Sequence, residues 1–147
     1  MKLINNTKDF LTILKLDGES DLPISNFQID SRKVEKNSVF FGLTGSTEDG
    51  SCYAEDAINR GASLAIIRKS KISNSIAYSP KIISVKSPEE CLISSAVMAI
   101  ERYKGTVIGV TGSNGKTTTK TILNTCIKNS YGTYQNYNNE IGLPLCV

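Results

Sequence analysis

The sequence predicts an α/β fold: a small α/β N-terminal domain followed by the start of a phosphate-loop domain built on a parallel sheet. Three observations carry that expectation. Short β-branched runs alternate with helical runs along most of the chain. One such helical run, CLISSAVMAIERY, leads almost directly into a second alternating stretch. That stretch reads TVIGV, then TGSNGK, then TTTKTILNTCIKN, which is a strand, a glycine-punctuated turn and an amphipathic helix.

The elements follow in order. Residues 9–16 (DFLTILKL) carry the apolar spacing of a short helix, stopped by Asp17-Gly18. Residues 26–30 (NFQID) read as a strand that runs at once into Ser31-Arg32, and residues 38–43 (SVFFGL) as a second strand that turns out through Thr44-Gly45-Ser46. Asp49-Gly50 is a turn signal. Residues 53–60 (YAEDAINR) read as a helix ended by Gly61. Residues 63–68 (SLAIIR) and 81–86 (KIISVK) are a third and a fourth strand, and Arg68-Lys69-Ser70 with Lys71 reads as a solvated loop.

Ser87-Pro88-Glu89 opens the next helix, with proline in its first turn and acids nearby. Leu92, Ala96, Met98, Ala99 and Tyr103 are expected to form its packing face. Beyond it, Val107, Ile108 and Val110 favour a buried strand. Ile122, Leu123, Cys126 and Ile127 fall on one helical face. Thr133-Tyr134 is strand-like, and the asparagine-rich segment 136–144 (NYNNEIGLP) follows. The expected organisation is a domain over 1–87, a connecting helix over 88–104, and the beginning of a second domain over 105–147. A parallel sheet begun at Thr106 needs further strands to cover its edges, so the chain is expected to stop inside that domain.

Composition excludes several classes. Hydrophobic residues make up 39% and charged residues 21%, and the net charge of +3 is mild, so nothing resembles the dense basic face of a nucleic-acid binder. No apolar run is long enough to span a membrane, and there is no signal-peptide pattern. Cys52, Cys91, Cys126 and Cys146 lack paired spacing, which disfavours zinc and suits reduced, partly buried thiols in the cytoplasm. The chain has no histidine, which removes histidine ligands, histidine bases and Ser-His-Asp chemistry from these residues.

The glycine-punctuated junction carries the chemistry. Gly112 and Gly115 admit unusual backbone angles, and Lys116 and Thr117 sit at the helix start, so unpaired amides and the positive helix end converge on one spot suited to a phosphate. Lys116 can reach terminal phosphates and the Thr117 hydroxyl can bind Mg²⁺. The generic pattern wants a glycine where this chain has Val110, so it is met only in part. A tight turn with a solvated lysine is the bland alternative; the strand–turn–helix context favours nucleotide binding.

Three separated segments together resemble one family, the Mur ligases of bacterial cell-wall synthesis. Thr111-Gly112-Ser113-Asn114-Gly115-Lys116-Thr117-Thr118 is similar to that family's ATP loop, which also lacks the first glycine. Asp30-Ser31-Arg32, then Val39-Phe40-Phe41-Gly42-Leu43 and the Gly45…Asp49-Gly50 turn, resemble its N-terminal UDP-sugar-binding domain. Asn136-Tyr137-Asn138-Asn139-Glu140-Ile141-Gly142-Leu143-Pro144 resembles the members that add D-alanyl-D-alanine. Where members often have lysine and histidine in the substrate loop, this chain has Thr44 and Ser51.

The resemblance implies an ATP-dependent amide ligase of peptidoglycan precursor synthesis, cytoplasmic and monomeric when full length. It would join D-alanyl-D-alanine to UDP-N-acetylmuramoyl tripeptide through an acyl phosphate, with ATP and Mg²⁺ as cofactors. Lys116 would stabilise the transferring γ-phosphate, Thr117 would hold Mg²⁺, and the amides of Gly112, Ser113, Asn114, Gly115, Lys116, Thr117 and Thr118 would cradle the phosphates. Asn138 and Asn139 would lie near the nucleotide, and Asp30, Ser31 and Arg32 would meet the uridine end of the substrate, Ser31 by direct contact. The resemblance covers only the beginning of the catalytic domain, so the chain alone is expected to be inactive. Two other readings stay open: a ligase adding the third amino acid to UDP-N-acetylmuramoyl dipeptide, and a non-catalytic UDP-sugar- or nucleotide-binding module.

Overall fold

A four-stranded parallel sheet forms the centre of the chain, its strands paired in the order of the sequence. They are β1 (Asn26–Gln28), β2 (Ser38–Phe41), β3 (Leu64–Arg68) and β4 (Ile82–Val85). The computed structural model describes residues 4–46, 48–71, 79–133 and 139–146. Register places Phe27 beside Val39, Phe41 beside Ile66, and Ile66 beside Ile83. Because the central strands are covered on both faces, β2 is buried throughout and β3 through Ile67, which is why each reads as an unbroken apolar run. The predicted α/β class is the observed one.

Alternation along the strands sorts the core into two layers. Val39, Phe41, Leu64, Ile66, Ile83 and Val85 pack with Phe10, Leu11 and Leu92 from helices α1 (Thr7–Leu14) and α3 (Pro88–Arg102). On the other face Phe40, Ala65 and Ile67 meet Ala54 and Ala57 of α2 (Ala54–Asn59). The alanines let this short helix lie close to the sheet.

Local chemistry sets the helix ends. The Asn6 side chain accepts from the Asp9 amide at 2.7 Å, so α1 starts earlier than expected. It ends at Lys15, which takes a left-handed conformation, one turn before Asp17-Gly18. Ser87 caps α3, its hydroxyl accepting from the Glu90 amide, with Pro88 at the first position as predicted. Leu92, Ala96 and Ala99 are buried and Met98 packs beside them, whereas Tyr103 lies past the helix end and is exposed.

One expectation is corrected after α3. Residues 106–110 form no strand, and Val107 and Ile108 are exposed, because among the described residues no neighbouring strand pairs with them. The helix that follows, α4 (Lys116–Cys126), forms as expected but buries none of its residues; Ile122 and Ile127 face solvent. A helix closes its backbone hydrogen bonds within itself, whereas a parallel strand exists only in a ladder. Residues 142–146, for which the sequence predicts no element, form a short helix, α5 (Gly142–Cys146). It lies against α3, with Ile141 and Leu145 packed on the α1–α3 layer.

Candidate functional site

The phosphate-loop residues form a turn with the geometry their sequence requires. Gly115 precedes α4 at φ +78°, left-handed backbone that a residue with a Cβ adopts only at a cost, and Gly112 stands at φ +150°. No side chain caps α4, so its first-turn amides stay available to an outside acceptor. The Lys116 ammonium donates to the Gly112 carbonyl at 2.5 Å, folding the side chain across the loop. Within the described residues the Thr117 hydroxyl makes no hydrogen bond, although its carbonyl accepts from the Thr121 hydroxyl at 2.9 Å. Ser113, Asn114 and Thr118 are exposed around the same turn. Free amides, an ammonium and a free hydroxyl make a donor set that fits a Mg²⁺–nucleotide phosphate.

Asn139 sits at the start of α5, where its side-chain oxygen accepts from the Gly142 amide at 2.6 Å. That oxygen therefore serves the helix start. Asn138 lies outside the described residues.

The Asp30–Arg32 turn lies at the carboxyl end of β1. Asp30 caps a short 3₁₀ turn, Ser31–Lys33, by accepting from the Arg32 amide at 3.1 Å. The Arg32 guanidinium returns to the same carboxylate in a fork, Nε to Oδ1 at 2.9 Å and Nη2 to Oδ2 at 2.8 Å. Those bonds hold the Asp30 carboxyl at about 2. Ser31 is buried between them. Tyr53 is close enough for Arg32 to act on it electrostatically, and its hydroxyl donates to Glu48, which raises its pKa.

A third cluster, absent from the sequence-based expectation, joins the carboxyl ends of the other strands. Arg68, read above as the start of a solvated loop, is only 26% exposed. Its Nη2 donates to Glu89 Oε1 and Oε2 at 2.9 and 2.8 Å and to the Thr44 hydroxyl at 2.8 Å. Nη1 donates to the Lys86 carbonyl at 3.2 Å, and Nε lies 3.7 Å from Asp49 Oδ2. Glu89 also accepts from the Thr44 amide at 2.8 Å and the Ser87 hydroxyl at 3.0 Å. The fully buried Ser51 hydroxyl donates to the Gly42 carbonyl at 3.3 Å and accepts from the Arg68 amide at 3.1 Å. Gly42 permits this approach: a Cβ there would stand 2.7 Å from the Ser51 backbone. The signal available in the sequence was an arginine directly after four apolar strand residues, a position where a charge must find partners.

Burial would raise the Glu89 carboxyl, but the Thr44 amide, its own amide, Ser87 and Arg68 outweigh it and hold the group at about 2. Asp49 is likewise lowered, the Ser51 amide and hydroxyl with Lys71 and Arg68 overcoming its desolvation. Folded-state values below the ordinary 3.8 of Asp30 and 4.5 of Glu89 contribute stability above those ordinary values, lost as pH falls toward 2. Thermal melts should therefore be flat above about pH 5 and fall steadily between about pH 4.5 and 2. Glu89→Gln should flatten part of that slope, and an unchanged slope would refute the assignment to Glu89. Cys91, pushed up to about 12 by burial, is a packing residue; Cys52 and Cys126 are exposed.

In an open parallel sheet, ligands bind outside the carboxyl ends of the strands, and all three polar groups after β1, β2 and β3 lie there. The family model described as "Mur ligase family, catalytic domain" matches residues 23–103, and the "Mur ligase middle domain" model matches residues 110–147. The chain belongs to the Mur ligase family. Among its Mur ligase relatives, the UDP-N-acetylmuramoyl-L-alanyl-D-glutamate--2,6-diaminopimelate ligase of Clostridioides difficile is 38% identical over 137 residues, covering 90% of this chain and 27% of the relative. The UDP-N-acetylmuramoyl-tripeptide--D-alanyl-D-alanine ligase of Rickettsia prowazekii is 32% identical, covering 96% of this chain and 31% of the relative. Among solved Mur ligases, the MurF ligase from Thermotoga maritima in complex with ADP is 37% identical with a TM-score of 0.67, covering 82% of this chain and 28% of that one. MurF from Acinetobacter baumannii shares the fold at 23% identity and a TM-score of 0.76, covering 96% of this chain and 32% of that one. The chain thus spans between a quarter and a third of the length of these Mur ligases. Among the described residues, no helix is long and apolar enough to cross a membrane.

Proposed function

We propose that these residues serve a cytoplasmic ATP-dependent amide ligase of peptidoglycan precursor synthesis, joining D-alanyl-D-alanine to UDP-N-acetylmuramoyl tripeptide through an acyl phosphate. The observation that carries the reading is the uncapped start of α4 behind Gly112 and Gly115, with Lys116 folded across the loop. ATP, with Mg²⁺, supplies the phosphoryl group that activates the peptide carboxylate. Lys116 would exchange the Gly112 carbonyl for phosphate oxygens, the Thr117 hydroxyl would hold the metal, and the amides from Gly112 to Thr118 would cradle the phosphates. Positioning and electrostatics of this kind are what phosphoryl transfer asks of a protein. By the family resemblance, Asn138 and Asn139 would serve the nucleotide. Asp30 and Arg32, locked to each other, present Ser31 to the uridine end of the substrate. The division into a UDP-sugar-binding domain over 1–87, a connecting helix over 88–104 and an ATP-binding beginning over 105–147 belongs to the same proposal.

The choice of D-alanyl-D-alanine rests on the Asn136…Pro144 segment and is supported by the likeness to the ADP-bound Thermotoga maritima MurF ligase. A second reading, addition of the third amino acid to the dipeptide, draws support from the 38% identity with the Clostridioides difficile 2,6-diaminopimelate ligase. Calorimetric titration of the chain with UDP-N-acetylmuramoyl tripeptide and with the dipeptide separates them. Tighter binding of the tripeptide is expected. Preference for the dipeptide would move the assignment to the second reading, and binding of neither would sink both.

A further inference from the structure

We propose that Arg68 is a positioning residue for the UDP-sugar site: it fastens the loop after β2 to the start of α3 and so sets the wall that the substrate meets. The inference rests on the UDP-sugar reading of the Asp30–Arg32 turn and goes beyond it, because Arg68 belongs to another strand and another cluster. The loop over residues 42–51 is anchored by apolar contact at Leu43, which packs on the core, while its other described residues are glycines and polar or charged side chains. It is held at its base by the Ser51 hydroxyl, which bridges the Gly42 carbonyl and the Arg68 amide. Above that, the Arg68 guanidinium bonds the Thr44 hydroxyl and approaches Asp49, the two residues that pair across the loop. Glu89 completes the clamp by accepting from both Arg68 and the Thr44 amide.

The charge arrangement argues for positioning rather than direct contact with a diphosphate. Arg68 already faces two carboxylates, Glu89 and Asp49, and its fork is occupied by Thr44, Glu89 and the Lys86 carbonyl. A cation so matched is a poor anchor for a further anion, but a rigid brace. Planarity matters here, because a guanidinium joins Thr44, Glu89 and Lys86 at fixed angles and an ammonium cannot. The same loop continues into Tyr53, which interacts electrostatically with Arg32 of the turn that carries Ser31.

The test is calorimetry on the whole chain with two probes, UDP-N-acetylmuramoyl tripeptide and ATP with Mg²⁺. Arg68→Gln is expected to weaken the UDP-sugar by at least about tenfold, the loss of one charge-assisted hydrogen bond, with ATP affinity unchanged. Arg68→Lys should not restore binding, which a generic need for positive charge would predict. Should the Arg68 variants fail to fold, Thr44→Val keeps the ion pair, removes one bond of the fork, and should weaken the UDP-sugar alone by about threefold. Wild-type UDP-sugar affinity in Arg68→Gln, or in Thr44→Val where that variant stands in, would overturn the clamp while leaving the UDP-sugar reading intact. Equal loss for both probes would also overturn it, since that marks general destabilisation. No UDP-sugar binding by the unmodified chain would remove the clamp and the reading beneath it together.

Discussion

Lys116→Ala abolishes the response to ATP. Titration of this variant with ATP and Mg²⁺ should show affinity reduced by roughly a hundredfold or more, the scale on which single charged donors act at developing phosphate charge. The argument starts from what Lys116 does in the unliganded loop. Its ammonium donates to the Gly112 carbonyl, so the side chain is already laid over the space that the first-turn amides of α4 face. A phosphate entering that space replaces a neutral acceptor with a charged one, and the bond strengthens without moving the lysine far. Alanine removes the cation and leaves the amides and the helix dipole, which alone hold an anion weakly. The control is UDP-N-acetylmuramoyl tripeptide, whose affinity should not change. Unaltered ATP affinity in Lys116→Ala would remove the central assignment; equal loss of both ligands would point to a folding defect instead.

Much of this was legible in the sequence, and the physical reasons divide cleanly. The strands β1 to β4 follow from apolar runs that must be covered on both faces, and α3 from Ser87, Pro88 and a periodic face. The phosphate turn followed from two glycines and a lysine at a helix start, a local signal that needs no tertiary partner. Residues 106–110 misled because a β-branched run reads as a strand wherever it lies, while a strand exists only beside another. The helix over residues 142–146 was not read from the sequence, because proline and glycine give no helix signal; Ile141 and Leu145 find apolar cover on the α1–α3 layer and Asn139 caps the turn. Arg68 was hidden for a different reason. Its partners Thr44, Asp49 and Glu89 lie up to twenty-four residues away in sequence and meet only when parallel strands bring their carboxyl ends together.

Phe41→Ala should cost about 3–5 kcal/mol of folding stability, measured by urea denaturation, the largest effect expected from any single truncation in the core. Phe41 is fully buried at the end of the inner strand β2. Its ring packs edge-on against Phe10 at 6.2 Å and Phe27 at 5.8 Å, and those two rings lie 5.8 Å apart, so three elements share one aromatic contact. Removing the ring forfeits burial and opens a cavity bounded by rigid strands that cannot close on it. Phe41→Leu, which refills most of the volume, should cost less than about 1.5 kcal/mol. The consequence reaches the site, because Phe41 is followed by Gly42, the point where the substrate loop passes 2.7 Å from a would-be Cβ. A close approach of that kind tolerates little drift in the strand that carries it. Phe41→Ala should therefore weaken UDP-sugar binding even where the protein remains folded, while Phe41→Leu spares it. A loss of less than about 1 kcal/mol in Phe41→Ala would mean that the aromatic cluster is loosely packed, and the brace at the strand ends would then need another foundation.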